Sequence, residues 1–256
     1  MYKEFRGGNT RLPESTPETW AVNFAGANKI GLLHRVIWPF KKEFRLIKKY
    51  IKATNENPVL DAGCGMGQFV ALLNEKNIPA VGLDWSVQMV ESLRIIYPIY
   101  SWHVGDIREM QFQPDSFSGI ISWGVIEHDE QGPEKALTEF ERVLKPGGVL
   151  IVTVPVDSHM TRRCSRVLFE DAEDPILFFQ HFMTENELQE FVKNAGFEII
   201  ESGAFGRGLA LLFPRLYKKI NYRFGLIPLL SKIVTLLFFW KKDASTMVYC
   251  VAMKPK

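Results

Sequence analysis

The chain of 256 residues has little cysteine, no internal repeat and no apolar run long enough to cross a bilayer, and each shortage excludes a class of protein. Its cysteines number three, Cys64, Cys164 and Cys250, and lie far apart. An odd, scattered set gives neither a disulfide framework nor a zinc pattern, and it suits a reducing compartment. The longest mainly apolar run, 225–240, is 16 residues long and contains Pro228 and Lys232. A spanning helix needs roughly 20 apolar residues, so the run falls short. The opening residues MYKEFRGGNTRLPEST lack the apolar core of a secretory signal. The expectation is a cytoplasmic protein. At 256 residues, with 46% apolar side chains, the chain suffices for one large α/β domain with a full core.

Charge is nearly balanced overall but not along the chain. Residues 1–52 hold 11 Lys/Arg against 4 Asp/Glu (+7), residues 53–206 hold 10 against 24 (−14), and residues 207–256 hold 10 against 1 (+9). An acidic body is flanked by two basic ends. The ends either complement the body or face an anionic surface.

Hydrophobic patterning alternates between strand and helix. Strands are expected at 59–61, 80–84, 100–104, 118–123, 149–154, 197–201 and 246–252. Helices are expected at 68–76, at 87–96 with Ser86 as N-cap, at 133–144, and at 184–195. The last has a capping-box start, Thr184 with Glu187, and a Gly196 stop. The turn KPGG at 145–148 should end the third helix. Strands alternating with helices mean a doubly wound, mainly parallel seven-stranded sheet with helices on both faces. Ligands of such sheets bind beyond the carboxyl ends of the strands. That edge gathers residues 61–67, Asp84, Asp106 and residues 123–128.

The stretch VLDAGCGMGQFV at 59–70 puts bare backbone at a strand-to-helix turn, directly after a carboxylate. A P-loop would need Lys-Ser/Thr after its last glycine, and none follows Gly67. A dinucleotide fold would want G-x-G-x-x-G, whereas the spacing here is G-x-G-x-G. Asp61 would also repel a pyrophosphate. It suits a ligand that carries positive charge.

VLDAGCGMG is similar to the D/E-x-G-x-G-x-G motif of the class I S-adenosylmethionine-dependent methyltransferases. Asp84, Trp85, the segment Gly105-Asp106-Ile107 and the run ERVLKPGGVLIVTVP at 141–155 resemble further pieces of that family. Together they cover residues 58–203. The resemblance implies a Rossmann-like fold, S-adenosylmethionine as cofactor and methyl transfer. It implies cofactor contacts from Asp61, Gly63, Cys64, Gly65, Gly67, Asp84, Trp85, Gly105, Asp106, Ile107, Ser122 and Trp123. Asp84 would hold the ribose hydroxyls, Trp85 would lie against adenine, and residues 105–107 would read the adenine amino group. Cys64 fills a variable position as backbone rather than as a nucleophile.

Methyl transfer needs a general base only if the acceptor must lose a proton. His128, in SWGVIEHD at 122–129, is the candidate base, because histidine titrates near neutrality. The alternative is that Glu127 and His128 only orient the loop, or that His128 touches the cofactor. The run also resembles the E-x-x-E-H of certain quinone-precursor O-methyltransferases, whose acids and histidine bind magnesium. Gly124 replaces the first acid, so no metal is expected. Asp129 and Asp157 are second-line bases. His159 and His181 could face the acceptor, although a surface or cap position suits each better.

Residues 1–52 are expected to form a helical lid over the cofactor, with Tyr2, Trp20 and Phe24 as candidates. Residues 34–51 are read as a helix packed on the sheet or facing a membrane. Residues 207–242 hold 8 basic residues, no acidic ones and many large apolar side chains. They are read as the main part of a helical insertion at 207–245, between a cofactor-binding core at 53–206 and the final strand at 246–256. It would cap the substrate pocket, rest on anionic lipid or form a dimer surface. The acceptor is therefore expected to be small and apolar or lipid-linked, most readily methylated at oxygen. Peripheral membrane contact through 207–242 is a further expectation. Nucleic acid is not expected as a partner, because no binding module for it appears. A non-catalytic scaffold that keeps the cofactor site is the alternative.

Overall fold

A computed structural model of the chain describes residues 1–7, 30–31, 35–36, 38, 41–159, 161–162, 176–207 and 245–256. Its strands are β1 (Tyr2–Gly7), β2 (Val59–Ala62), β3 (Ala80–Asp84), β4 (Ser101–Val104), β5 (Phe117–Trp123), β6 (Leu144–Pro155), β7 (Ile176–Phe182), β8 (Glu198–Arg207) and β9 (Ser245–Met253). Its α-helices are α1 (Lys42–Tyr50), α2 (Gln68–Glu75), α3 (Val87–Ile96), α4 (Glu134–Val143) and α5 (Glu185–Asn194).

Seven strands form one sheet in the order β4-β3-β2-β5-β6-β9-β8. The first five are parallel, and β9 runs antiparallel between β6 and β8. The order reverses beside β2, so β2 and β5 bound the switch-point crevice. Neighbouring residues on one strand serve opposite faces. Val59, Ile121 and Ile151 pack with α1, α2 and α3 through Ile47, Leu72 and Leu93. Leu60, Ile120 and Leu150 pack with α4 and α5 through Phe140 and Leu188. Strands covered on both sides are buried along almost their whole length, as β2 and β5 are, and their few polar side chains, Asp61, Ser118 and Ser122, are buried with them.

Helix ends follow local chemistry. Ser86 Oγ accepts the Met89 N–H at the start of α3 (3.3 Å). Thr184 and Glu187 form the reciprocal capping box of α5. Gly196, with φ +95°, stops that helix.

Three expectations change. The KPGG segment lies inside β6, because β6 already begins at Leu144. Tyr2 sits in a strand rather than in a helical lid. β1 pairs antiparallel with β7, a strand the periodicity did not announce, in a separate two-stranded sheet. β8 also runs on to Arg207, six residues beyond the expected 197–201. Trp20, Phe24, His34 and residues 208–242 of the expected insertion lie outside the described residues.

Gly119 of β5 shows how tightly the N-terminal helix docks. A Cβ there would meet the Ile51 side chain at 2.5–2.9 Å. Gly119→Ala is expected to destabilise the fold by about 1–3 kcal/mol through overpacking. Urea unfolding followed by circular dichroism checks this, and an unchanged midpoint would contradict the packing.

Candidate functional site

β2 stops at Ala62 because three of the next five residues are glycines in left-handed conformations: Gly63 (φ +85°), Gly65 (+47°) and Gly67 (+67°). The Gly63 and Cys64 N–H groups both donate to the Leu83 carbonyl, at 2.8 and 2.9 Å, and so draw the turn onto the end of β3. A Cβ on Gly63 would meet Val125 at 2.5 Å, so the turn also presses on the loop after β5.

Asp84 locks this arrangement. Its Oδ2 accepts the Gly65 N–H (2.9 Å) and its Oδ1 accepts the Ser86 N–H (3.0 Å). Burial pushes its carboxyl up, while these two N–H groups pull it down, and the net direction is upward. Asp61 has no such help. It is 2% exposed, and its Oδ2 has no hydrogen-bond partner. Burial, then the charge of Asp84, pushes its carboxyl up to about 8. An unsatisfied buried carboxylate is costly, and a cationic ligand group would relieve it.

The loop after β5 forms the facing wall. Trp123 stacks on Phe69 of α2, with ring centres 5.2 Å apart. Gly124 turns with φ +69° and donates its N–H to the Thr153 carbonyl (3.1 Å). Glu127 is buried, with Oε2 unpartnered, and burial pushes its carboxyl up to about 8. The Trp123 indole N–H is also buried without a partner. His128 Nδ1 lies 2.8 Å from the Phe179 carbonyl of β7. A carbonyl only accepts, so Nδ1 carries the proton and Nε2 is the basic nitrogen of the neutral ring.

A cavity of about 290 Å³ opens between these walls. Asp61, Gly63, Cys64, Gly65, Asp84, Trp85, Gly105, Asp106, Ile107, Trp123 and His128 line it, as does Asp129. Gly67 and Ser122 do not. Gly67 is needed for packing, since a Cβ there would meet the Trp102 ring at 2.5 Å. Ser122 is fully buried and donates its hydroxyl to the Ala62 carbonyl (3.1 Å), which ties β5 to β2. His159 is exposed. Asp157 is paired with Arg162. His181 is wholly buried rather than a surface or cap residue, with Nε2 3.3 Å from the Glu130 carbonyl, and burial lowers its pKa. Among the described residues no cluster of three or more His, Cys, Asp or Glu side chains is arranged to hold a metal ion.

Phe69, Met89 and Arg108 also line the cavity and were not singled out from the sequence. Phe69 and Met89 open α2 and α3, and the first turn of a helix after a parallel strand faces the crevice, so their positions were available in principle. Arg108 carried no local signal.

A methyltransferase-domain family model matches residues 38–202. A Mycolicibacterium smegmatis protein, named a probable S-adenosylmethionine-dependent methyltransferase, is 30% identical over 191 residues, 72% of this chain and 69% of that one. The chain belongs to the class I S-adenosylmethionine-dependent methyltransferases. This methyltransferase is also 26% identical over 207 residues to the Campylobacter jejuni ubiquinone/menaquinone biosynthesis C-methyltransferase, covering 70% of this chain and 85% of that one. Its fold matches Haemonchus contortus phosphoethanolamine N-methyltransferase 2, solved with phosphomonomethylethanolamine and S-adenosylhomocysteine. The TM-score is 0.56 at 16% identity, over 94% of this chain and 60% of that one. The cofactor of the methyltransferase is S-adenosylmethionine, and the site suits it: an orphaned acid, a glycine cradle and an apolar cleft meet in one place.

Asp61 and Glu127 hold protons in the folded chain up to about pH 8. Unfolded, they release them near pH 4. Between those limits the folded state binds more protons, so its stability falls as pH rises. The cofactor-free methyltransferase is expected to lose stability progressively from about pH 5 to about pH 8. Asp61→Asn and Glu127→Gln should each make the slope shallower. Urea midpoints across that window test this, and a flat wild-type profile would refute the burial argument.

Proposed function

We propose that this methyltransferase acts on a small, apolar or lipid-linked acceptor and methylates it at a hydroxyl oxygen. Asp61 receives the α-ammonium of the cofactor, and the glycine turn, whose own N–H groups are bonded to Leu83, Asp84 and Cys64, holds the Asp61 carboxylate in place. Asp84 accepts from the ribose hydroxyls with lone pairs its backbone bonds leave available. Trp85 and residues 105–107 hold the adenine. The observation that carries this reading is the buried, unpaired Asp61 carboxylate on the wall of an otherwise largely apolar cavity.

Bound S-adenosylmethionine supplies a methyl group on a sulfonium that is already a good leaving group. The protein's task is therefore mainly to align the acceptor and exclude water. The Phe69–Trp123 stack offers a flat apolar wall for a planar or aliphatic acceptor. His128 takes the acceptor's proton on Nε2, with the ring held by its Nδ1–H bond to Phe179. The basic, apolar sequence at 207–242 supports a lipid-linked acceptor or contact with an anionic membrane. No helix among the described residues is long and apolar enough to cross a bilayer.

Methylation at carbon is a second reading, favoured by the C-methyltransferase of C. jejuni. Removing the proton of a phenolic hydroxyl also activates the ring carbons beside and opposite it. The same base would serve both outcomes, and NMR of the methylated product separates them.

Pairing with an ammonium requires an ionised Asp61. Adenosylhomocysteine affinity is therefore expected to rise about tenfold per pH unit below about 8, with release of up to one proton. Calorimetry in buffers of different ionisation heat measures both. Affinity independent of pH would remove Asp61 from this role, and Asp61→Asn should bind far more weakly at pH 8. His128→Gln is expected to leave adenosylhomocysteine affinity unchanged and to lower turnover by about 10²–10⁴. Tritiated-methyl transfer to a panel of phenols, isoprenoid alcohols and quinols reads the second effect. Equal turnover in the variant would mean that another group takes the proton.

A further inference from the structure

Arg108 has no place in the roles assigned so far, yet it lines the cofactor cavity and makes five polar contacts there. Its Nε lies 3.0 Å from each carboxylate oxygen of Asp106, its Nη2 lies 2.6 Å from Oδ2, and its own N–H donates to Oδ1 at 2.8 Å. The fifth contact crosses the cleft, with Nη1 3.3 Å from Asp129 Oδ2. Asp106 and Arg108 belong to the loop after β4. Asp129 belongs to the loop after β5, which also carries Trp123 and His128. One guanidinium therefore joins two walls of the cavity.

We propose that Arg108 is a cofactor-positioning residue: gripping Asp106 and reaching Asp129, it draws the two loops together across the adenine end of the cavity. The inference rests on the placement of adenine beside residues 105–107 proposed above. Arginine suits the task because its planar fork can satisfy one carboxylate with two parallel bonds and still extend a third nitrogen. Burial pulls the Asp106 carboxyl up, but the Arg108 side chain and N–H outweigh it, with a smaller contribution from Lys135, and hold it below its ordinary range. Asp106 thus stays an ionised acceptor. Asp129 is steadied separately, since its Oδ1 accepts the Gln131 N–H (3.0 Å).

The two halves of the clamp differ in strength. The Asp106 half is short and multiply bonded within one turn. The Asp129 half is a single long contact between different loops. The Arg108 side chain is 38% exposed, so salt screens that contact and its strength is modest. Opening therefore takes place between Arg108 and Asp129, and Asp106 keeps its partner while ligand enters. Without Arg108, two like charges would face each other across the cleft and push the loops apart.

The test uses the full chain with adenosylhomocysteine and adenosine as probes. Affinity comes from calorimetry at 20 and 500 mM NaCl, and release rates from stopped-flow tryptophan fluorescence. Arg108→Met keeps the apolar stem without the charge. It should bind both probes about three- to tenfold more weakly, with most of the loss in the release rate. Asp129→Asn should lose about two- to fivefold, and Arg108→Lys should recover part of the loss. High salt should weaken the wild type and leave Arg108→Met nearly unchanged. Melting curves of the variants confirm folding. If Arg108→Met and Asp129→Asn match the wild type in affinity, release and salt response, the clamp is refuted while the cofactor site stands. If the wild type fails to bind adenosylhomocysteine at all, the cofactor reading fails and the clamp falls with it.

Discussion

A carboxylate without a partner organises this molecule. Asp61 lies one residue before the end of a strand covered on both faces, where it is 2% exposed and its Oδ2 has no hydrogen-bond partner. The protein stabilises the surroundings instead of the charge. Three glycines let the chain turn away at once, the Leu83 carbonyl takes two of the freed N–H groups, and Asp84 takes a third. The result is a rigid socket in which the unmet oxygen of Asp61 calls for positive charge. An ammonium group favours the ionised form of Asp61 and is attracted to it, whereas a phosphate would favour the neutral form and gain no ion pair.

The sheet makes that socket possible by burying both of its faces. Each central strand sends alternate residues to opposite helical layers, so β2 and β5 cannot slip in register without exposing a whole row of Val, Leu and Ile. Fixed register places the ends of β2, β3, β4 and β5 side by side, and the residues lining the cavity lie at the ends of these strands, in the loops that follow them or in the first turn of the next helix. The proposed acceptor wall is held differently. The two-stranded β1–β7 sheet meets the loop after β5 through two histidine bonds, His128 to Phe179 and His181 to Glu130. The loop that carries the proposed base is thus steadied from outside the main sheet.

Burial also separates the acids by task. Asp84 and Asp106 have donors, from backbone and from Arg108, and serve as fixed acceptors. Asp61 and Glu127 have none for one oxygen each, and both are pushed toward neutrality. The first group shapes the cavity, and the second carries the pH response. Trp123 contributes a stacked face on one side and an unanswered N–H on the other, which places apolar and polar demands on whatever lies beside it.

The sequence by itself determined the fold class, the strand-helix order and most of the cavity. Those features depend on short-range regularities: apolar runs, the Ser86 and Thr184 caps, and three glycines beside an acid. Gly67 and Ser122 belong to the same motifs but pack rather than line the cavity, because Trp102 and Ala62 lie where no local pattern could place them. β7 was not legible either, because its partner β1 lies more than 160 residues away and strand pairing leaves no mark on one strand alone. The grip of Arg108 on Asp129 and the isolation of Glu127 were likewise decided by tertiary structure. Both are relations between distant segments, and a side chain's charge or hydrogen-bond balance exists only once its neighbours are in place.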